Sequence, residues 1–191
     1  MKKVIIAGLV GGVVIFIWQF ISYTVLPWHM MVIHNIPGGE QISEILKNDN
    51  LSTGVYHHPG FSEEAGSEEA AMQAFAERYK KGSNINLLVY AARGEDPNNP
   101  MQFIISYILN ALASTIAAFM LWKAGGSIRR LLPRALFVAG LGLFTVISHI
   151  LLNWNWWGFP GDFTLVESAD TLVAWFLAGL AIAGLVKPAQ G

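Results

Sequence analysis

Five polar residues inside otherwise apolar stretches have side chains able to hold a ligand: His149, Asp170, Asn110, Asn153 and Gln19. An imidazole donates and accepts near neutral pH, a carboxylate accepts, and the amides do both. Thr145, His149 and Asn153 recur at four-residue steps, which puts them on one face of a helix. His149 falls shortly before the end of its apolar stretch and Asp170 shortly after the start of the next. At a rise of about 1.5 Å per residue, both lie about 6–8 Å below their helix ends. The spacing predicts two groups at matched depth on consecutive helices, able to form a hydrogen-bonded pair. The chemistry would be a binding pocket or a proton-active site, because an ionisable group inside a membrane faces the bundle interior or water. The plainer alternative is a polar clamp between two helices, or a shallow carboxylate reaching headgroup water.

A second set consists of His29, Met30, Met31 and His34, with His57 and His58 further along. Imidazole and thioether ligands suit copper, above all Cu(I). The spacing argues against it: His29 and His34 stand five apart, and adjacent His57 and His58 point to opposite sides of a strand. The chain has no cysteine, which excludes thiol catalysis and cysteine-held metals. It also has no nucleophile elbow, no HExxH and no phosphate-cradling loop, since neither Gly38-Gly39 nor Gly125-Gly126 precedes a Lys-Ser/Thr pair. Glu63, Glu64, Glu68 and Glu69 read as a solvated acidic face. No cofactor is implied, and catalysis is the weakest functional class.

The elements that must position these residues follow from composition. Of 191 residues, 53% are hydrophobic and only 13% charged, about half the charged share of a soluble domain. Four stretches, 4–26, 101–122, 135–153 and 165–186, approach the roughly 20 apolar residues that cross a bilayer. The first exceeds a signal-peptide core and has no cleavage pattern after it, so it is read as a retained helix. Thr164 and Glu167 are spaced as a capping box for the fourth. Gly8 with Gly12, Gly140 with Gly142, and Gly179 with Ala183 are small-residue seams expected inside the bundle.

Charge sets an expected orientation. The N-terminus, the 123–134 loop and the C-terminus hold seven basic residues and no acidic one, while the rest of the chain sums to −8. The positive side is expected in the cytoplasm. Both termini are then inside, residues 27–100 are extracytoplasmic, and Trp154, Trp156 and Trp157 sit in an interfacial belt. No basic patch suited to nucleic acid lies away from the membrane flanks.

Residues 27–100 are too many for a plain connection. Helices are expected at 40–48 and 67–81, a strand at 54–58, and a strand or a surface lip at 85–92. Few apolar residues are available for a core there, so the segment is expected to pack down as a cap. Asn50-Leu51-Ser52 is formally a glycosylation sequon.

The expected fold is an all-α membrane protein. Its four-helix transmembrane bundle carries a small extracytoplasmic α/β or helical cap inserted between helices 1 and 2. The expected divisions are 1–26, 27–100 and 101–191, with a bacterial inner membrane as the setting. The leading functional expectation is an accessory or assembly subunit of a membrane complex, acting through protein contacts or self-association as well as the lipid bilayer. The alternatives are small-molecule or lipid binding or transport through an outward-facing pocket at His149, Asp170, Asn110, Asn153 and Gln19, and extracytoplasmic copper handling.

Overall fold

The computed structural model describes residues 1–61, 66–124 and 128–187. The acidic pair Glu63 and Glu64 and the Gly125-Gly126 doublet lie outside the described residues. In chain order the elements are α1 (Lys2–Thr24), α2 (Trp28–Val32), α3 (Gly39–Asn48), β1 (Gly54–His58), α4 (Glu68–Lys81), β2 (Ile85–Tyr90) and α5 (Pro100–Lys123). Then follow α6 (Leu131–Thr145), a π-helical turn (Val146–Ile150), α7 (Leu151–Trp157) and α8 (Gly161–Leu185). Contacts divide the chain into two compact units, one formed by Met1–His34 with Pro97–Gly191, the other by Asn35–Asp96.

The first unit holds four helices long and apolar enough to cross a membrane: α1, α5, the composite Leu131–Trp157 and α8. Their ends follow local chemistry. α5 opens with Pro100 at its first position, and the Asn99 side chain accepts from the Met101 N–H at 3.0 Å. α7 stops at Gly158, whose φ of +65° is the left-handed conformation common after a helix. The structure corrects two sequence boundaries. The third span begins at Leu131 and runs through the tryptophans to Trp157, longer at both ends than 135–153. α8 begins at Gly161, so Thr164 and Glu167 do not form a capping box. Thr164 is already inside the helix, its hydroxyl donating to the Pro160 carbonyl at 2.8 Å. That frees Glu167 for contacts with other helices.

α1 lies along α5 on one side and α8 on the other, and α8 in turn packs along α6, so α1 and α8 form the central pair. The seams are made by small residues. A Cβ on Gly12 would stand 2.6 Å from the Ala111 Cα, and one on Gly8 would run into Thr115. Gly142 admits Trp175, and Gly179 lies against the Ala135 carbonyl, whereas Gly140 faces open space. Such close approach is how helices associate where lipid removes the hydrophobic drive between them. Ala7, Ala117, Ala118, Leu121, Val138, Ala178 and Ile182 fill the core. The outward faces carry large apolar side chains such as Ile17, Ile104, Leu112, Ile116 and Phe144. At one end Arg134, only 3% exposed, donates to the Val186 carbonyl at the end of α8 and to the Ile128 carbonyl. A cation suits the negative end of that helix.

The second unit pairs β1 with β2 in antiparallel register, Val55 opposite Val89 and Tyr56 opposite Leu88, with an irregularity before His58 meets Ile85. The strand expected at 85–92 ends at Tyr90. α4 is capped by Ser67, which accepts from the Ala70 N–H, and it ends at Gly82 with φ +85°. Glu68 and Glu69 in its first turn and Arg78, Lys80 and Lys81 in its last complement the helix dipole. Neither α3 nor α4 has a fully buried residue. Val55, Ile85, Leu87 and Val89 are all exposed, and the strand alternation puts them on one face of the sheet.

Candidate functional site: a buried histidine beside two carboxylates

The site is built where α1 ends and α8 begins. Pro27 redirects the chain after α1, and the short helix α2 folds back over the last turns of α1. The Trp28 indole N–H secures it, within 2.9 Å of the Ser22 hydroxyl and 3.2 Å of the Ser22 carbonyl. Trp28 also meets Trp18 edge to face, with ring centroids 6.1 Å apart. This return places His29 flat on Tyr23, at a ring separation of 3.8 Å and an angle of 11°. His29 is left 2% exposed.

α8 supplies the acids. Glu167 and Asp170 are three residues apart, hence on one face. The Trp18 indole N–H donates to Asp170 Oδ1 at 2.7 Å, and the Tyr23 hydroxyl donates to Glu167 Oε1 at 3.3 Å. His29 lies between them. Its Nδ1 is 3.4 Å from Glu167 Oε1, and its Nε2 is 3.0 Å from the Ser22 hydroxyl and 4.0 Å from Asp170 Oδ2. Nδ1 is close to the carboxylate but not aligned for a hydrogen bond, and it has no other partner. Because Ser22 already accepts from Trp28, its own proton suits Nε2. That tautomer leaves the ring proton on Nδ1, facing Glu167. The result is a hydrogen-bonded series from Trp28 through Ser22 to His29, with Glu167 in close contact beyond it and Asp170 held beside it by Trp18.

All seven lysines and arginines of this unit lie at the opposite helix ends, at positions 2, 3, 123, 129, 130, 134 and 187. Among the described residues of this unit, no lysine or arginine therefore stands near Glu167 or Asp170. A cleft of about 190 Å³ opens on Glu167. Its walls include His149, Asn153, Phe159, Phe163 and Thr164. Phe159 and Phe163 stack at 5.3 Å. A broader, shallower groove continues past His149 and Asn153 along Leu152, Trp156 and Trp157.

The residues singled out from sequence fall into three places. Gln19 accepts from the Asn110 amide at 2.7 Å, which links α1 to α5. His149 Nε2 lies 3.4 Å from the Asn153 amide, and both residues line the cleft. Asp170 is 8% exposed and bonds Trp18; no hydrogen bond or ion pair joins it to His149. The π turn carries His149 on a locally widened part of the helix, a feature frequent at functional sites. Of the histidine and methionine set, only His29 belongs to the buried cluster. Met30, Met31 and His34 are exposed, and His57 and His58 are exposed on β1 of the other unit. Among the described residues, no three His, Asp or Glu side chains gather with metal-binding geometry.

Sequence reasoning did not bring Trp18, Tyr23 and Glu167 to the site. Glu167 and Asp170 at a three-residue spacing were the available signal, and the capping-box pattern absorbed it. No family model, curated protein or solved structure matches this chain.

Proposed function

We propose that this is an integral membrane protein that binds a small molecule or lipid headgroup at the end of its helix bundle where α1 exits and α8 enters. The charge distribution along the sequence orients this end toward the extracytoplasmic side of a bacterial inner membrane, with both termini in the cytoplasm. The observation that carries the reading is Glu167, which lines the cleft and also contacts buried His29 and Tyr23. A ligand in the cleft is thereby in direct register with the only buried ionisable cluster at that end among the described residues. Ionisable groups at membrane depth mark ligand and proton pathways. His149 and Asn153, contributed by the third span, add polar groups to the same mostly apolar cleft.

The test is native mass spectrometry of the full chain in lipid nanodiscs. Bound small molecules or lipids should survive in the parent and diminish in His149→Ala and Glu167→Ala, the two ionisable side chains that line the cleft. Identical retention in all three would remove the reading.

A second reading, an accessory subunit of a membrane complex, draws on the exposed apolar face of Val55, Ile85, Leu87 and Val89. Another integral membrane protein covering that face would appear in the same spectra as a heavier assembly of defined composition. The insertion would then serve that contact as a cap on the extracytoplasmic side.

A further inference from the structure

We infer that the cleft takes an ammonium group, carried either on a lipid headgroup or on a free organic amine. The inference rests on the ligand-binding reading above and names the chemical class.

Three observations carry it. Glu167 and Asp170 bring two carboxylates within one helical turn, and no lysine or arginine of this unit stands at that end among the described residues. Asp170 is served by the Trp18 indole, whereas Glu167 is about a quarter exposed, opens on the cleft and receives one donor, Tyr23, so it is the carboxylate an incoming cation would meet. The second observation is how little His29 supplies. Its Nδ1 is buried and 3.4 Å from Glu167 Oε1 without an aligned hydrogen bond, and its Nε2 is taken by Ser22. Glu167 Oε1 receives the Tyr23 hydroxyl, while Oε2 has no hydrogen-bond partner among the described residues. The third is the wall of the cleft. Phe159 and Phe163 offer aromatic surface, which attracts cations, and the amide of Asn153 offers a carbonyl oxygen. An anionic headgroup would meet a carboxylate and two aromatic faces, with no lysine or arginine of this unit at that end among the described residues to receive it.

The shallow groove beyond His149, bordered by Trp156 and Trp157, has room for the rest of a lipid headgroup. Indole rings prefer that level of the bilayer. A lipid would thus place its ammonium on Glu167 and the rest of its headgroup along this groove.

The experiment uses the full-length protein in native mass spectrometry with three lipids at equal concentration: phosphatidylethanolamine, phosphatidylcholine and phosphatidylglycerol. The two ammonium lipids should be retained over phosphatidylglycerol by about tenfold, the discrimination one charge-assisted contact provides. Glu167→Gln keeps the side-chain size and an acceptor for Tyr23, and should bring that ratio close to one. Added ethanolamine or tetramethylammonium separates the sources. If either displaces the lipid, or binds when lipid is absent, the ammonium group alone suffices; if neither does, the lipid is the ligand. Should Glu167→Gln fail to fold, Phe163→Arg tests the same charge logic and should invert the preference toward phosphatidylglycerol. Phosphatidylglycerol retained as well as the others by the parent, or ammonium selectivity intact in both variants, would overturn the ammonium assignment and leave the binding site standing. No retention of any lipid or amine would remove both.

Discussion

The glycine seam between α1 and α5 makes a sharp quantitative prediction. Consider the same change, Gly→Ala, at Gly8, Gly12 and Gly179, and at the open positions Gly140 and Gly184. Alanine gains about 1 kcal/mol over glycine in the interior of a helix, and less at Gly184, one residue from the end of α8. At Gly140 and Gly184 the new methyl group meets nothing within 4 Å, so the propensity gain is the whole effect, in full at Gly140 inside α6. At Gly12 it would lie 2.6 Å from the Ala111 Cα and 2.7 Å from the Ala111 nitrogen, both backbone atoms that cannot rotate away. Ordinary carbon contacts are about 3.5–4.0 Å, so α5 must retreat by roughly 1 Å. A separation of that size forfeits about a quarter to a half of the dispersion energy along the seam. Overpacking of this kind costs about 1–3 kcal/mol. Because Gly12 and Gly140 are both inside their helices and share that gain, the difference between Gly12→Ala and Gly140→Ala isolates the overpacking cost. Gly8→Ala should lie at the upper end, since its methyl group would come within 2.5 Å of the Thr115 Cα. Gly11→Ala should be milder, because the first atoms it meets are the flexible tip of Ile182. The assay is thermal unfolding of the purified full chain in one detergent, with all variants in parallel. If Gly8→Ala and Gly12→Ala melt together with Gly140→Ala, the close approach of α1 and α5 is wrong.

Other perturbations separate the polar contacts. Asp170→Ala leaves the Trp18 indole N–H without its acceptor and should cost about 1–3 kcal/mol in the same melts, whereas Asp170→Asn keeps an acceptor oxygen and should recover most of it. The two membrane-end histidines should differ: His149→Ala, on an exposed side chain, should stay within about 0.5 kcal/mol of the parent, while His29→Ala removes a buried partner of Ser22 and should cost about 1–3 kcal/mol. Arg134→Met orphans the Val186 and Ile128 carbonyls, and hydrogen exchange in the last turn of α8 should rise, with Arg134→Lys intermediate because an ammonium lacks the planar fork. A cysteine at Ser67 should react with an impermeant reagent in intact cells and one at Lys123 should not; the reverse pattern would invert the orientation.

The spans were legible because membrane crossing is a property of length and apolar content, which a sequence states directly. Glycine seams were legible for a related reason: in lipid, small residues are the means of approach, and Gly8, Gly12, Gly142 and Gly179 all meet neighbouring helices. The candidate site was legible only in part. Asp170, His149 and Asn153 stood out as polar residues in apolar runs, but helical spacing fixes neighbours only within one helix. Which helices become adjacent is decided by packing, and α1, not the third span, supplies Asp170 with its hydrogen bond. His29 was hidden differently. Its proximity to the acids requires α2 to fold back, a tertiary event that the Pro27-Trp28 sequence permits but does not announce. Glu167 illustrates competition between local and distant explanations, because a Thr and a Glu three apart fit a cap equally well as a pattern.

The π turn at Val146–Ile150 gives the third span an uncommon tolerance. Its Leu151 N–H reaches back to the Val146 carbonyl, five residues away, so the span amounts to a regular helix into which one residue has been inserted. In an ordinary helix, deleting a residue rotates everything beyond it by about 100°. Here a one-residue deletion within the turn would restore regular winding. The Gly142–Trp175 seam and the tryptophans at 154, 156 and 157 would each keep their facing. Only the widened turn that carries His149 to the cleft would be lost. The helix thus separates two requirements that usually constrain each other, the register of its packing and the shape of its recognition surface, and length variation at this one turn can alter the second while leaving the first intact.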